Sequence, residues 1–285
     1  MKQIIINADD FGLTEGINCG ILQAYQEGIL TSASLLANGP AFDEAVSLSK
    51  KNPGLGVGVH LNILRGRPVS GQNEVLSLVD KNGYFIPRPG YFLLRRLLNQ
   101  LRPDEIKIEF RAQINKVMAA GILPSHLDTE KHLHALPFIS KILFNLAEEF
   151  DIRKVRCLKT DIYFKQLLTI HSLIFCSLLV FTEKRRTNLA AKGILSPQCT
   201  YGLLEGGRMF KDRYAEIFKR IGEGSAEIVC HPGYAEHHPK KMILEMGRFY
   251  LNHAREKELE ALLSQDLKDL AGNLGIQFIT YRGLN

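Results

Sequence analysis

Short apolar runs that each end in chemically capable polar residues recur along this 285-residue chain, and segments of helical period separate them. The run Ile4-Ile5-Ile6-Asn7-Ala8 reads as a strand that stops at Asp9 and Asp10, after which Ile17, Ile21, Leu22 and Tyr25 share one helical face. The pattern repeats with a strand over 34–37, a helix over 40–50 with Pro40 in its tolerant first turn, and a strand over 56–61. An irregular stretch over 62–102, rich in Gly, Pro and Asn, follows; loops of that length in compact domains are usually functional. Further on, the spacing predicts a helix from Pro103 to Ala120 stopped by Gly121, a strand over 126–128, and a helix over 137–150. Strands near Val155 and over 226–230, a last helix over 256–274 and a closing strand over 277–280 complete the series. Such alternation predicts an α/β fold with a mostly parallel sheet, and the number of repeats favours a closed or nearly closed barrel. Residues just after the strands then gather at one end of that barrel.

Composition narrows the function classes. With 45% hydrophobic and 23% charged residues the chain can bury a sizeable core, and one domain over 1–285 accommodates it, with a helical insertion at about 161–200. The net charge of +6 is spread among acidic residues, and its densest groups, Lys184-Arg185-Arg186 and Arg95-Arg96, read as solvated surface; no nucleic-acid partner is expected. Cys19, Cys157, Cys176, Cys199 and Cys230 are odd in number and widely spaced, so they read as reduced thiols. The opening residues carry no apolar stretch long enough for a signal peptide, which makes cytoplasm the expected location.

Four clusters carry chemistry. Asp9 and Asp10 sit together before Gly12, where their repulsion is relieved if one carboxylate binds a cation while the other takes a proton; a helix N-cap region is the plainer alternative. His60 ends the third strand at the same predicted barrel end, in a position suited to a zinc-like ligand. In His126-Leu127-Asp128-Thr129-Glu130-Lys131-His132-Leu133-His134, an extended backbone projects the five alternate polar side chains on one face. His231 closes another apolar run and is followed by Pro232, which fixes the local backbone and so the imidazole's angle.

Assembled in order, these residues resemble the YdjC-like carbohydrate deacetylase family, which includes chitooligosaccharide and hopanoid-associated deacetylases. Asp9-Asp10-Phe11-Gly12, the Thr31-Ser32 to Asn38-Gly39 segment, Gly58-Val59-His60, the His126 to His134 segment and His231-Pro232 carry the resemblance over most of the chain. It implies a variant (β/α) barrel of the glycoside hydrolase/deacetylase type and a divalent metal, Mg²⁺ or Zn²⁺, held by Asp10 and His60. The family's third ligand stands two residues after Asp128, where this chain has Glu130 rather than His. Either Glu130 coordinates through oxygen, or His132 takes its place, or the site is impaired. A further likeness, to the hopanoid-associated branch, rests on Tyr201-Gly202-Leu203-Leu204-Glu205-Gly206-Gly207-Arg208-Met209 and the region before it. There, residues 170–181 are apolar nearly all round, too short to span a bilayer, and read as a buried helix or homodimer contact, or as a membrane-surface element over 170–186.

The expected reaction is removal of an acetyl group from an amino sugar. Asp10, His60 and Glu130 are expected to hold the metal, Asp9 to act as general base, His231 as general acid, and His132 and His134 to line the substrate site. Another metal-assisted hydrolysis on the same barrel, or sugar binding by a protein with an impaired metal site, are the rival expectations.

Overall fold

The computed structural model describes residues 1–87, 89–156, 158–159, 190, 193–235 and 253–285. Its centre is a parallel sheet in the hydrogen-bonded order β4-β3-β2-β1-β6-β5, with β7 pairing β1 off that path. The strands are β1 (Lys2–Phe11), β2 (Ser32–Leu35), β3 (Gly56–Leu61), β4 (Leu127–Thr129), β5 (Cys199–Tyr201), β6 (Gly224–Cys230) and β7 (Ile276–Phe278). Parallel bridges Leu127↔Val155 and Lys154↔Leu195 extend the pairing beyond β4 toward the segment that leads into β5. Thr200 also donates its N–H to the Lys159 carbonyl at 2.7 Å. The sheet is therefore curled back toward its other edge, as the expected nearly closed barrel requires.

Helices α1 (Glu15–Gln26), α2 (Phe42–Lys51), α3 (Pro89–Leu97), α4 (Pro103–Ala119), α5 (Pro137–Glu149), α6 (Lys211–Arg220), α7 (Ala254–Leu263) and α8 (Gln265–Asn273) accompany the strands. β1 is buried on both faces, as a strand inside a parallel sheet must be. Ile4, Ile6 and Ala8 belong to the large apolar core, whereas Ile5 packs with Tyr281 and Leu284 in a separate cluster. Asn7 and Asp9 continue the Ile5 side at the two-residue period of a strand, so this face turns from apolar to polar toward the C-terminal end. Gly58 is needed here because the His126 ring lies against it; a Cβ at that position would come within 2.3 Å of the ring.

Several expected boundaries move. The second strand begins at Ser32, and α2 begins at Phe42, leaving Pro40 outside the helix. The expected last helix is two helices, α7 and α8, divided at Ser264, whose extended backbone breaks the turn. The stretch over 62–102 is not wholly irregular, since it contains α3. Most of the expected insertion over 161–200, including residues 170–186, lies outside the described residues. Among the described residues, no helix is long and apolar enough to cross a membrane.

Candidate active site

The site is built where β1, β3, β4 and β6 end. Adjacent strand residues normally face opposite ways, so Asp9 and Asp10 need a local device to serve one site. It is an irregularity of the β1–β2 register between Ala8 and Phe11, with Asp10 at φ 71°. A positive φ is costly for a non-glycine residue, and bulges of this kind re-aim side chains beside active sites. The helix-cap alternative for this pair does not hold: the N-cap of α1 is Thr14, which accepts from the Ile17 N–H at 3.1 Å.

Asp9 lies on a buried arginine. Arg156 donates to both Asp9 oxygens at 2.9 and 2.6 Å and to Glu227 Oε1 at 3.0 Å, and its Nη2 forms an ion pair with Asp128 Oδ2 at 2.7 Å. Asn7 adds a hydrogen bond to Asp9 Oδ1 at 3.0 Å and another to Ser34 Oγ at 2.8 Å. The Ser34 hydroxyl in turn donates to Asp128 Oδ2 at 2.8 Å. Burial works to raise the Asp9 pKa, but the charges of Arg156 and His60, with the Arg156 hydrogen bond, together outweigh it and keep the carboxyl below its ordinary value.

His60 is clamped by two carboxylates. Its Nδ1 is 2.8 Å from Asp128 Oδ1 and its Nε2 is 3.2 Å from Glu130 Oε2. Glu130 Oε1 also accepts from Arg65, and Asp10 Oδ2 accepts from Arg255. Burial would lower the His60 pKa, yet Asp128 and then Asp9 raise it well above the ordinary value. For Asp10, burial pushes upward and Arg255, helped by Arg65, prevails, holding the carboxyl at about 2. The expected ligands are thus brought together: Asp10, His60 and Glu130, all buried, offer donor atoms within 4.8 Å of one another. A second group, Asp9, His60 and Asp128, meets the same description.

The alternation expected through His134 ends at Glu130. β4 stops at Thr129, and Glu130–Ala135 is a tight turn in which Lys131 and His132 take φ of 52° and 54°. His126, Asp128 and Glu130 keep the strand-like spacing, whereas His132 and His134 arrive by the turn. His126 is a structural member, stacked on Tyr281 with 3.8 Å between ring centres and 3.1 Å from Ser34 Oγ. Thr129 Oγ1 lies 2.6 Å from His134 Nδ1, and His134 Nε2 meets no hydrogen-bond partner among the described residues. Burial pushes His134 down to about 3, so it serves as a neutral hydrogen-bonding group.

His231 follows β6. Its backbone N–H donates to Glu258, and its carbonyl accepts from Arg255 at 3.3 Å, so two α7 residues one turn apart hold it. Burial lowers its pKa to about 4 against the pull of Asp9 and Asp10, which leaves the resting imidazole uncharged at neutral pH.

Arg65, Arg156, Arg255 and Glu258 escape the sequence reading. Arg156 follows the lone apolar Val155, and a charged residue closing a short strand is a faint signal. Arg255 and Glu258 gave a clearer one: they share a helical stripe with Leu259 and Leu262, all buried. Charges on an apolar stripe require partners.

With this geometry in view, the relatives are informative. The family model described as YdjC-like protein matches residues 3–272. A carbohydrate deacetylase of Geobacillus stearothermophilus is 34% identical over 99% of this chain and 97% of its own length. Carbohydrate deacetylases of Clostridium beijerinckii and Brevibacillus brevis are 30% and 34% identical over 99% of this chain and 100% and 99% of theirs. A solved structure from Enterococcus faecalis V583, named for cellobiose-phosphate cleavage, superposes with a TM-score of 0.74 at 24% identity, covering 98% of this chain and 97% of that one. At that identity the likeness speaks for the fold.

Proposed function

This chain belongs to the YdjC-like family, and from that premise we propose that it is a metal-dependent carbohydrate deacetylase that hydrolyses the N-acetyl group of an amino sugar to acetate and a free amine. The observation that carries the proposal is the convergence of Asp10, His60 and Glu130, donor atoms within 4.8 Å, directly beside Asp9. Two carboxylates and an imidazole suit Mg²⁺ or Zn²⁺, and while Arg65 donates to Glu130 Oε1, Glu130 Oε2 lies 3.2 Å from His60 Nε2, its fellow ligand candidate. When bound, the ion supplies Lewis-acid polarisation of water and of the acetamide carbonyl.

The side chains divide the remaining work. Asp9 takes the proton of the attacking water, and Arg156 orients it and keeps it ionised until then. An amine leaves only once protonated. His231, neutral at rest, must first receive a proton relayed from Asp9 before it can deliver one to the nitrogen. His134 Nε2, buried and without a hydrogen-bond partner among the described residues, and His132 beside it line the substrate site.

The same arginines favour a second reading, a sugar-binding protein that holds no ion, because guanidinium groups on Asp10 and Glu130 compete with one. An acetate-release screen over N-acetylglucosamine oligomers and glycolipids, with and without chelator, separates the two. Chelator-sensitive acetate release supports the deacetylase; sugar binding without release, in protein that carries no metal, supports the other.

A further inference from the structure

Two overlapping carboxylate–imidazole groups share His60, one through Asp10 and Glu130, the other through Asp9 and Asp128. Hydrolases with two-ion sites set such ligand groups side by side. This chain treats the two groups differently. In the Asp10–Glu130 group the two carboxylates are paired with separate arginines, Arg255 on Asp10 and Arg65 on Glu130. In the Asp9–Asp128 group a cation is already seated: Arg156 Nη2 lies 2.6 Å from Asp9 Oδ1 and 2.7 Å from Asp128 Oδ2. The Arg156 side chain is 0% exposed, and Glu227 takes its Nε, so one guanidinium meets oxygens of three buried carboxylates.

We propose that Arg156 is a resident cation standing where a second metal ion would otherwise bind, so that the chain takes one ion, at Asp10, His60 and Glu130, and Asp9 is kept out of the ligand set. The inference rests on the metal reading above and explains why two adjacent aspartates have separate tasks. A guanidinium is permanently charged and presents a rigid fork of donors, so it neutralises Asp9 and Asp128 at every working pH while leaving lone pairs on Asp9 for a proton. A metal ion in that place would bind those lone pairs. Removing the guanidinium takes away the cation that Asp9, Asp128 and Glu227 share, and a divalent ion is the ready replacement.

The test counts ions. Wild type and the Asp9→Asn, Asp10→Ala, Arg156→Ser and Arg156→Ser/Asp128→Asn variants are loaded with Mn²⁺ or Zn²⁺ and analysed by equilibrium dialysis and elemental analysis, with circular dichroism as the check on folding. One ion is expected in wild type and in Asp9→Asn, with affinities within about threefold of each other, and none in Asp10→Ala. Arg156→Ser should bind one ion more than wild type, the extra ion disappearing in the double variant and being displaced by millimolar guanidinium chloride. Two ions in wild type, an unchanged count in folded Arg156→Ser, or loss of the ion in Asp9→Asn each overturns the inference. If Arg156→Ser fails to fold even with divalent ion present, the Asp9→Asn measurement decides alone. A wild type that takes no ion defeats the metal reading and this inference with it, whereas one ion in both wild type and Arg156→Ser defeats only the inference.

Discussion

Asp128 hydrogen-bonds His60 Nδ1 at 2.8 Å, and this contact turns the opposite nitrogen, Nε2, toward Glu130. A carboxylate behind a ligating imidazole fixes its tautomer and raises its basicity. Asp128→Asn is therefore expected to weaken metal binding by about 10- to 100-fold while the fold persists. Titration with Zn²⁺ or Mn²⁺ measures this, and unchanged affinity excludes the supporting role.

Asp9 and Asp10 should separate in function. Asp10→Ala is expected to lose the metal, whereas Asp9→Asn should keep it and lose turnover by about 10²- to 10⁴-fold, the usual cost of a missing general base. Metal content and acetate release measured on the same preparations give the answer. Near-normal release with metal retained in both variants would dismiss the assignment.

The strands that build the site were legible because apolar runs end in Asp9, His60 and His231 and polar residues alternate through Asp128, so that period and polarity agree there. What holds those residues was much less legible. Arg255 meets Asp10 across 245 positions of chain and Arg156 meets Asp9 across 147, separations at which no local period carries information. The turn after β4 was misread for a related reason. Alternation of polar residues continues through His134 in the sequence, but positive φ at Lys131 and His132 breaks the strand, and neither residue type announces that conformation. Seeing Glu130 as a ligand candidate survived this error because it is the last position before the break.

Glu130 offers a direct chemical test. Glu130→Gln removes the charge that a cation would neutralise and is expected to lower metal affinity, whereas Glu130→His supplies a nitrogen ligand and should retain the ion. A metal-bound structure of the wild type should show a Glu130 oxygen at about 2.0 to 2.2 Å from the ion. An ion held by His132 instead, with Glu130 turned away, would contradict the proposed ligand set.

Stability should be greatest in mildly acidic to neutral solution and fall on both sides for different reasons. Burial depresses His126 to about 3 and His134 to about 3, so each contributes stability that is fully present above its unfolded value near 6.5 and is lost as pH falls through the folded one. His60 has the opposite sign: Asp128 and Asp9 outweigh burial and raise its pKa, so its contribution is present below about 6.5 and is lost as pH rises through the folded value. Glu258 shares that sign, since burial pushes it up to about 7 against the hydrogen bonds it accepts from the His231 and Met209 backbone. Its raised value favours the folded state below about 4.5 and loses that effect as pH climbs through about 7, an effect of up to about 3 kcal/mol. Between about 4.5 and 6.5 the histidine and Glu258 slopes oppose each other, so the clean signatures are acid loss below about 4.5 and alkaline loss above about 6.5. Urea unfolding of metal-free protein at a series of pH values checks this, with His126→Gln expected to flatten the acid limb and Glu258→Gln to remove a downward slope between about 4.5 and 7. Stability that keeps climbing from pH 6.5 to pH 9 in the metal-free wild type would show that the raised His60 value is not that of the folded protein.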